Sequence, residues 1–313
     1  MRTLSVAAFT CLSLLSACGG SSAGASAPTT ELGVAFALPR LLVLGVQSSR
    51  TMVAEGVWFA TTQTGAGLIG QVTRTGTITV NGSGAAYEPT PTEKLVVRGL
   101  PEAHEFEAIQ VMGNAQAADA QAWLSQPHHL SYTHRLAGLG ELRIDEKFDG
   151  VQFLVTIRGH AMIGAQKYDL DLAVRGTTGG NSDSNGRESQ TNHTITGSMR
   201  SDGTEIVVLE QHVVTFASAM SLRLLHSQRG WASQVRSAIG NSLRSRGAEW
   251  RFVDVVVETA AKEKGGQRTD ELVSCTGKLV RDDRTIGPIE VRDGIASVTG
   301  DATVIPLQIP WAR

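Results

Sequence analysis

The sequence predicts a mainly β protein, with one large antiparallel sheet built from hairpins and one or two covering helices. Hydrophobic residues make up 41% of the 313 residues, which is enough to bury a sizeable core. Four dipeptides typical of tight hairpin turns lie beside segments rich in Val, Ile, Thr and Leu: Asn81-Gly82, Asp149-Gly150, Asp202-Gly203 and Asp293-Gly294. These observations fit a curved sheet, a sandwich or an open barrel.

The charge balance excludes one class of partner. The chain has 28 Lys and Arg against 30 Asp and Glu, a formal net charge of −2. A protein that binds the phosphate backbone needs an excess of positive charge. We therefore expect no nucleic-acid partner.

The chain begins with a pattern typical of export. Arg2 is the only charged residue before an apolar run from Leu4 to Leu15, which is too short for a membrane-spanning helix. The run ends in Leu15-Ser16-Ala17-Cys18-Gly19, which resembles the lipobox of bacterial lipoproteins. The resemblance implies that residues 1–17 are a signal peptide and that Cys18 becomes the acylated first residue.

The same resemblance implies a location. We expect a protein held in the cell envelope by its acyl chains, since each buried CH₂ contributes about 0.8 kcal/mol to membrane attachment. Because Gly19 rather than Asp follows the Cys, the outer membrane is implied if the source has two membranes. Ordinary secretion, with cleavage after Ala25 or Ala27, is the alternative.

The rest of the chain divides into a tether and a folded body. Residues 18–30 are small and uncharged, which predicts a flexible tether. Residues 31–313 predict a single β-rich domain, with a boundary or long loop at 176–190. Cys275 is then the only free thiol, and we expect a small core residue there rather than a nucleophile.

The first part of the body predicts two kinds of element. The apolar stretch 32–47 predicts either a helix broken near Pro39 or an edge element. Segments 52–62 and 68–80 predict a pair of strands. Residues Ala117 to Ser125 predict a short helix before Pro127.

Two central turns define the register of the next strands. A two-residue loop at Asp149-Gly150 pairs Ile144 with Val155 and Leu142 with Ile157. A second loop at Gly164-Ala165 pairs Ile157 with Leu172. Together the two loops place six apolar residues on one face, namely Leu142, Ile144, Val155, Ile157, Leu172 and Val174.

The opposite face of these strands is polar. It aligns Glu141, Arg158 and Asp171 in one row and sets His160 opposite Asp169. One interpretation is a solvent-facing ladder of weak ion pairs. The alternative is a catalytic site in which Asp169 orients His160 as a general base.

The longest predicted helix covers residues 218–246, with an aliphatic stripe at Trp231, Val235, Ile239 and Leu243. Its arginines, among them Arg229, Arg236 and Arg244, suit either a solvated face or contact with anionic lipid headgroups. Four strands follow in the sequence, at 251–260, 271–280, 288–292 and 295–304.

Several motifs lack a part that their chemistry needs. Gly65-Ala66-Gly67-Leu68-Ile69-Gly70 matches a dinucleotide fingerprint, but a strand pattern follows it where a helix must begin. His104-Glu105 begins like a zinc-protease helix, but Ala108 stands where the second His is required. We expect no cofactor.

We expect three further clusters of polar residues to have structural roles. His128, His129 and His134 are candidates for metal ligands, but adjacent histidines in a strand point to opposite faces. The calcium-like segment Asn181–Gly186 has Asn192 in place of the bidentate Glu. Asp282-Asp283 reads as a charged turn, and we expect no metal site.

Taken together, these features favour a lipid-anchored envelope protein with a non-enzymatic binding, carrier or scaffold role. The alternative is an envelope hydrolase that uses His160 and Asp169. An apolar cavity inside the sheet would favour the carrier, and a cleft that joins the dyad to a nucleophile would favour the enzyme.

Overall fold

The computed structural model describes most of the predicted body. The described residues are 31–64, 70–71, 76–81, 84–89, 94–98, 103–114, 116–136, 138–163, 165–183, 186–218, 232–264, 267–292, 295–299 and 303–305. The predicted signal peptide, the lipobox cysteine Cys18 and the tether lie outside them.

The fold is mainly β, as predicted, and its strands form one large and mostly antiparallel sheet. The described helices are α1 (Glu31–Thr64) and α2 (Ala120–Leu124). The described strands are β1 (Gly70–Gln71), β2 (Gly76–Asn81), β3 (Gly84–Pro89), β4 (Leu95–Arg98), β5 (His104–Gly113), β6 (His128–Leu136), β7 (Gly140–Phe148), β8 (Gln152–Ile163), β9 (Gln166–Asp183), β10 (Gly186–Ser201), β11 (Thr204–Ser218), β12 (Ala232–Ser245), β13 (Ala248–Lys264), β14 (Gln267–Arg281), β15 (Arg284–Arg292), β16 (Ile295–Val298) and β17 (Val304–Ile305).

The described residues fall into two compact units. The first unit contains residues 43–173, and the second contains residues 31–42 and 174–305. The segment 176–190, where a boundary or long loop is expected, lies mostly within strands β9 and β10.

In the first unit, strands β4 to β8 pair antiparallel with their neighbours along the chain. Strand β2 pairs with β3 antiparallel and with β4 parallel, and β1 pairs with β5. The helix α1 comes close to β4 at Gly56, where a Cβ atom would lie 2.5 Å from a methyl carbon of Leu95. A larger residue at this position would push the helix away from the strand.

In the second unit, strands β10 to β17 follow one another as antiparallel neighbours. Asp202 and Gly203 both have positive φ, at 47° and 76°, and join β10 to β11 as the sequence predicts. Asp282 and Asp283 likewise form a two-residue turn with positive φ, so the predicted charged turn is confirmed.

The predicted register at Asp149-Gly150 is wrong by two residues. Ile144 pairs with Ile157 rather than Val155, and the loop spans residues 149–152. The reason is the Asp149 carboxylate, which accepts hydrogen bonds from the backbone N–H groups of Val151 and Gln152 and so favours a longer turn.

A shift of two residues preserves which side chains share a face. All six residues predicted for the apolar face are buried, namely Leu142, Ile144, Val155, Ile157, Leu172 and Val174. The predicted face is therefore confirmed, although the cross-strand partners differ.

The segment 52–62 is helical, so its predicted strand is wrong. It belongs to α1, which also continues through Pro39 without the predicted break. Seven consecutive residues from Thr51 to Val57 are buried, which covers every side of the helix. A helix that is buried on every side has no amphipathic periodicity, so the sequence pattern did not identify this segment as helical.

Neither described helix combines the length and the apolar character that a membrane crossing requires.

The long helix predicted over 218–246 is also wrong where this segment is described; Arg229 and Trp231 lie outside the described residues. Residues up to Ser218 belong to β11, and Ala232–Ser245 forms β12. The apolar spacing of four residues is a multiple of two, so it fits one face of a strand as well as one face of a helix. The turn at Arg246-Gly247, with φ of 50° and 79°, then leads into β13.

Two smaller predictions are confirmed. Helix α2 lies within the predicted segment 117–125, and Asp119 caps it by accepting a hydrogen bond from the Ala122 N–H at 2.7 Å. Cys275 is buried in β14 as a small core residue.

Candidate functional site

The inner face of strands β6 and β7 carries polar side chains that meet helix α1. In both strands the even-numbered residues point inward, and most of them are apolar. The exceptions near the helix, together with their helical partners, form what we call the inner polar cluster: Ser49, Arg50, His128, Tyr132 and Glu146. All of these residues belong to the first unit.

The centre of the cluster is an ion pair. Arg50 Nη1 donates to Glu146 Oε1 at 2.6 Å, and only 1% of the Glu146 side chain is exposed. Burial acts to raise the pKa of Glu146, but the charge of Arg50 and the nearby His128 outweigh it and lower that pKa. Glu146 therefore stays ionised inside the protein.

His128 flanks the same carboxylate. Its Nδ1 lies 2.8 Å from the carbonyl oxygen of Gln126, so this nitrogen carries the proton and donates. Its Nε2 lies 3.6 Å from Glu146 Oε1. A neutral His128 therefore turns a lone pair towards the carboxylate, whereas a protonated His128 turns an N–H group towards it.

A hydroxyl pair forms the other side of the cluster. Ser49 Oγ donates to the Val46 carbonyl at 3.1 Å and lies 2.5 Å from the Tyr132 hydroxyl. Because Ser49 has one proton to donate, Tyr132 is the donor in the second bond. Burial is the main cause that raises the pKa of Tyr132, so Tyr132 remains a neutral donor.

A second buried acid lies one helical turn further along α1. Glu55 is 7% exposed, and burial, with a contribution from the charge of Asp119, raises its pKa to about 7. A small apolar pocket lies on this part of the helix, lined by Ala54, Val57, Trp58, Val111, Ala120 and Trp123.

Two buried histidines form a separate pair in the same unit. His104 Nδ1 and His134 Nε2 are 3.0 Å apart, and the ring centroids are 5.2 Å apart at an interplanar angle of 16°. These values describe two nearly coplanar rings with their nitrogens in line, the arrangement of an N–H···N hydrogen bond. Burial lowers the pKa of both rings, that of His104 to about 4.

The predicted dyad lies on the outer face of the sheet. Asp169 Oδ1 lies 2.9 Å from Lys167 Nζ, and its side chain is 58% exposed. His160 is half-buried and stands opposite Glu141 in the register of β7 and β8. In the described part of the chain, no hydrogen bond or ion pair joins His160 to Asp169, and their catalytic role stays a prediction.

The predicted row of charges is partly corrected. Arg158 forms the predicted ion pair with Asp171, at 3.0 Å. Glu141 instead pairs with Arg135 at 2.8 Å, because the two-residue shift places Arg143 opposite Arg158. The described ion pairs of this face, Arg135–Glu141, Arg158–Asp171 and Lys167–Asp169, are solvent-exposed.

The candidate metal ligands do not converge. His128 and His134 point inward from β6, whereas His129 points outward and lies 2.9 Å from Asp145. Among the described residues, no group of three or more His, Cys, Asp and Glu side chains is arranged to hold a metal ion. His104 lies in strand β5, so the helix of a zinc protease does not form there.

Sequence reasoning missed the inner polar cluster, although two signals pointed to it. Glu146 has the same parity as Ile144 and Leu142, so the predicted apolar face already contained an acidic residue. Arg50 and Glu55 are isolated charges in a mostly apolar segment. A charge on a face predicted to be buried implies an unseen partner.

The cluster positions α1 on strands β6 and β7 through the Arg50–Glu146 ion pair and the hydrogen bond between Ser49 and Tyr132. Comparison with protein families, with curated proteins and with solved structures finds no match to this chain.

Proposed function

We propose that the chain is a lipid-anchored cell-envelope protein with a non-enzymatic role as a binding scaffold. The proposal is based on one observation, which is that buried charges in the first unit pair with each other. Arg50 and Glu146 neutralise each other beneath a helix whose central turns are buried on every side. Because each of these charges is engaged by the other, neither is free to act as a catalytic acid or base, which fits a non-enzymatic role.

The described pocket favours a scaffold over a carrier. It has room for about one water molecule, far less than a drug-sized ligand needs. Its lining is apolar and contains no nucleophile. This pocket therefore supports binding at the protein surface rather than carriage of a ligand inside it.

The outer face of the first unit suits such a role. Lys94 lies 2.7 Å from Glu107, and Arg135 lies 2.9 Å from the same carboxylate and 2.8 Å from Glu141. These exposed groups of both signs give a hydrated surface without a strong net field.

Attachment to the membrane is assigned to Cys18, on the strength of the lipobox resemblance. Arg244 lies in β12 and is exposed, and Arg236 belongs to the same strand. Arg229 lies outside the described residues. These three arginines remain candidates for contact with anionic lipid headgroups.

The experiment that tests the anchor is a substitution at the lipobox. Cys18→Ser removes the acylated sulfur, and the protein should then leave the detergent-extracted membrane fraction and fail to incorporate labelled palmitate. Cys11→Ser is the matched control, because it changes a cysteine of the same apolar segment without altering the lipobox. Unchanged membrane association of Cys18→Ser would contradict the proposal.

A further inference from the structure

Two arginines stand directly opposite each other on the outer face of the first unit. Arg143 of β7 and Arg158 of β8 are register partners, and both side chains are exposed. The Cβ atoms of such partners lie about 4.5–5.5 Å apart, and like charges at these positions destabilise a sheet. The pair is therefore unfavourable unless an anion accompanies it.

One of the two charges is compensated within the chain. Arg158 Nε donates to Asp171 Oδ1 at 3.0 Å. This bond uses one of the five N–H groups of the guanidinium, so the two Nη atoms carry four further donors. The side chain of Arg158 is 65% exposed, which makes those donors accessible to a ligand from solvent.

The other charge, that of Arg143, has no ion pair or hydrogen bond within the described part of the chain. The two carboxylates that flank it on β7 are engaged from strand β6. Glu141 lies 2.8 Å from Arg135, and Asp145 lies 2.9 Å from His129. Arg143 therefore presents an uncompensated guanidinium next to its partner on β8.

Two hydroxyl groups border the arginine pair. Thr133 of β6 is the register partner of Arg143 on its other side. Thr156 lies two residues before Arg158 and so shares its face of β8. Both threonines are half-buried, and each hydroxyl can donate one hydrogen bond. This part of the face thus combines two guanidinium groups with two hydroxyl donors.

We propose that Arg143 and Arg158 form a binding site for a phosphate group held between their guanidinium groups. A phosphate monoester carries a charge of about −1.5 to −2 at pH 7 and has three acceptor oxygens. A carboxylate has only two oxygens, which one guanidinium fork already occupies. Phosphate can therefore serve both arginines and turn their repulsion into charge-assisted hydrogen bonds.

The inference deepens the proposed scaffold role, on which its biological use rests, by naming a chemical class that the outer face binds. The site itself requires only the register of β7 and β8 and the exposure of the two arginines. It does not require the lipid anchor.

Titration of the protein with inorganic phosphate tests the site. Isothermal titration calorimetry at pH 7.5 and low ionic strength measures the Kd, and the Nε–H nuclear magnetic resonance signals of Arg143 and Arg158 locate the anion. We expect both signals to shift together and saturate, and acetate to bind about tenfold more weakly than phosphate. The absence of a saturable shift in either signal would overturn the proposal.

Variants of Arg143 separate a built site from net charge. Arg143→Gln removes one guanidinium and should weaken phosphate binding by about tenfold. Arg143→Lys keeps the charge without the fork and should give an intermediate Kd. Lys147→Gln is the matched control, because it removes the same charge from an exposed position on the same face of β7, opposite the apolar Leu154. An equal loss in Arg143→Gln and Lys147→Gln would overturn the site.

Asp171→Asn tests Arg158 in the opposite direction. This change removes the carboxylate that competes with the ligand for Arg158, so phosphate should bind about threefold more tightly. Both residues are exposed, and circular dichroism should show an unchanged fold. Binding that stays the same or weakens would show that Arg158 is not a ligand of the phosphate.

The phosphate group can belong to a soluble molecule or to a lipid headgroup. Glycerol 3-phosphate represents the first source, and vesicles of phosphatidic acid in phosphatidylcholine represent the second, with pure phosphatidylcholine vesicles as the reference. Binding that depends on Arg143 in either case supports the site and identifies its source, whereas dependence in neither case overturns it. The anchor fails or holds separately, because Cys18→Ser tests membrane attachment without altering Arg143 or Arg158.

Discussion

Arg50 Nη1 lies 2.6 Å from Glu146 Oε1 and so joins residues 96 positions apart in the chain. The pair connects the centre of helix α1 to strand β7, at a depth where the carboxylate is almost fully buried. A rotation of the helix by one residue, about 100°, would remove the guanidinium from its partner. The ion pair therefore specifies how α1 sits on the sheet.

The first prediction concerns this pair. Arg50→Met should destabilise the protein by about 3–5 kcal/mol, because it leaves an uncompensated charge on Glu146. The double variant Arg50→Met/Glu146→Leu should lose less, since it removes both charges. Urea unfolding monitored by circular dichroism measures the free energies. A cost below about 1 kcal/mol for Arg50→Met would show that the pair is not a buried constraint.

The sequence predicted well those elements whose buried and exposed residues alternate. Strands β7 and β8 have one apolar and one polar face, so the shared face was found even though the turn at Asp149 was assigned two residues too short. Parity tolerates an even shift in register. The predicted cross-strand pairs are wrong, because they depend on the exact register.

Helix α1 and strand β12 show where that reasoning fails. Residues 52–62 have no polar face because Thr51 to Val57 are buried on every side, so only the surrounding sheet decides that they are helical. In β12, apolar residues every fourth position fit either element. The candidate site depends on both α1 and a distant strand, and so it could not be predicted from local pattern.

The second prediction tests the two faces of β8. Ile157 is fully buried, and Ile157→Ala should cost about 2–5 kcal/mol of stability. Arg158 is next to it but exposed, and Arg158→Ala should cost well under 1 kcal/mol despite its ion pair with Asp171. Chemical denaturation of the two variants provides the comparison. Equal costs would be inconsistent with the assigned faces.

The third prediction separates the scaffold from the hydrolase. His160→Gln keeps a hydrogen-bonding side chain but cannot titrate near neutral pH. We expect it to complement a deletion strain fully, with normal protein level and localisation. If His160 were a general base, the variant would lose roughly 10² to 10⁴ in rate and fail to complement. Lys167→Gln, which removes the cation that pairs with Asp169, is a matched control on the same face.

The fourth prediction concerns acid and the pair His104 and His134. In the unfolded chain both rings bind protons near pH 6.5, whereas burial lowers the pKa of His104 to about 4 in the folded protein and that of His134 as well. The unfolded state thus binds more protons between these values. The contribution of these neutral rings to the free energy of unfolding should be fully present above pH 6.5. As the pH drops to 4, the free energy of unfolding should fall by about 3 kcal/mol because of His104 alone.

Denaturant unfolding at a series of pH values tests this dependence. The double variant His104→Leu/His134→Leu replaces both partners of the hydrogen bond by apolar side chains and should unfold with a smaller loss between pH 6.5 and 4. His129→Gln changes a histidine of the same strand that faces outward to Asp145, and it should keep the wild-type acid sensitivity. If the double variant keeps the full loss of stability in acid, the buried pair is not its cause.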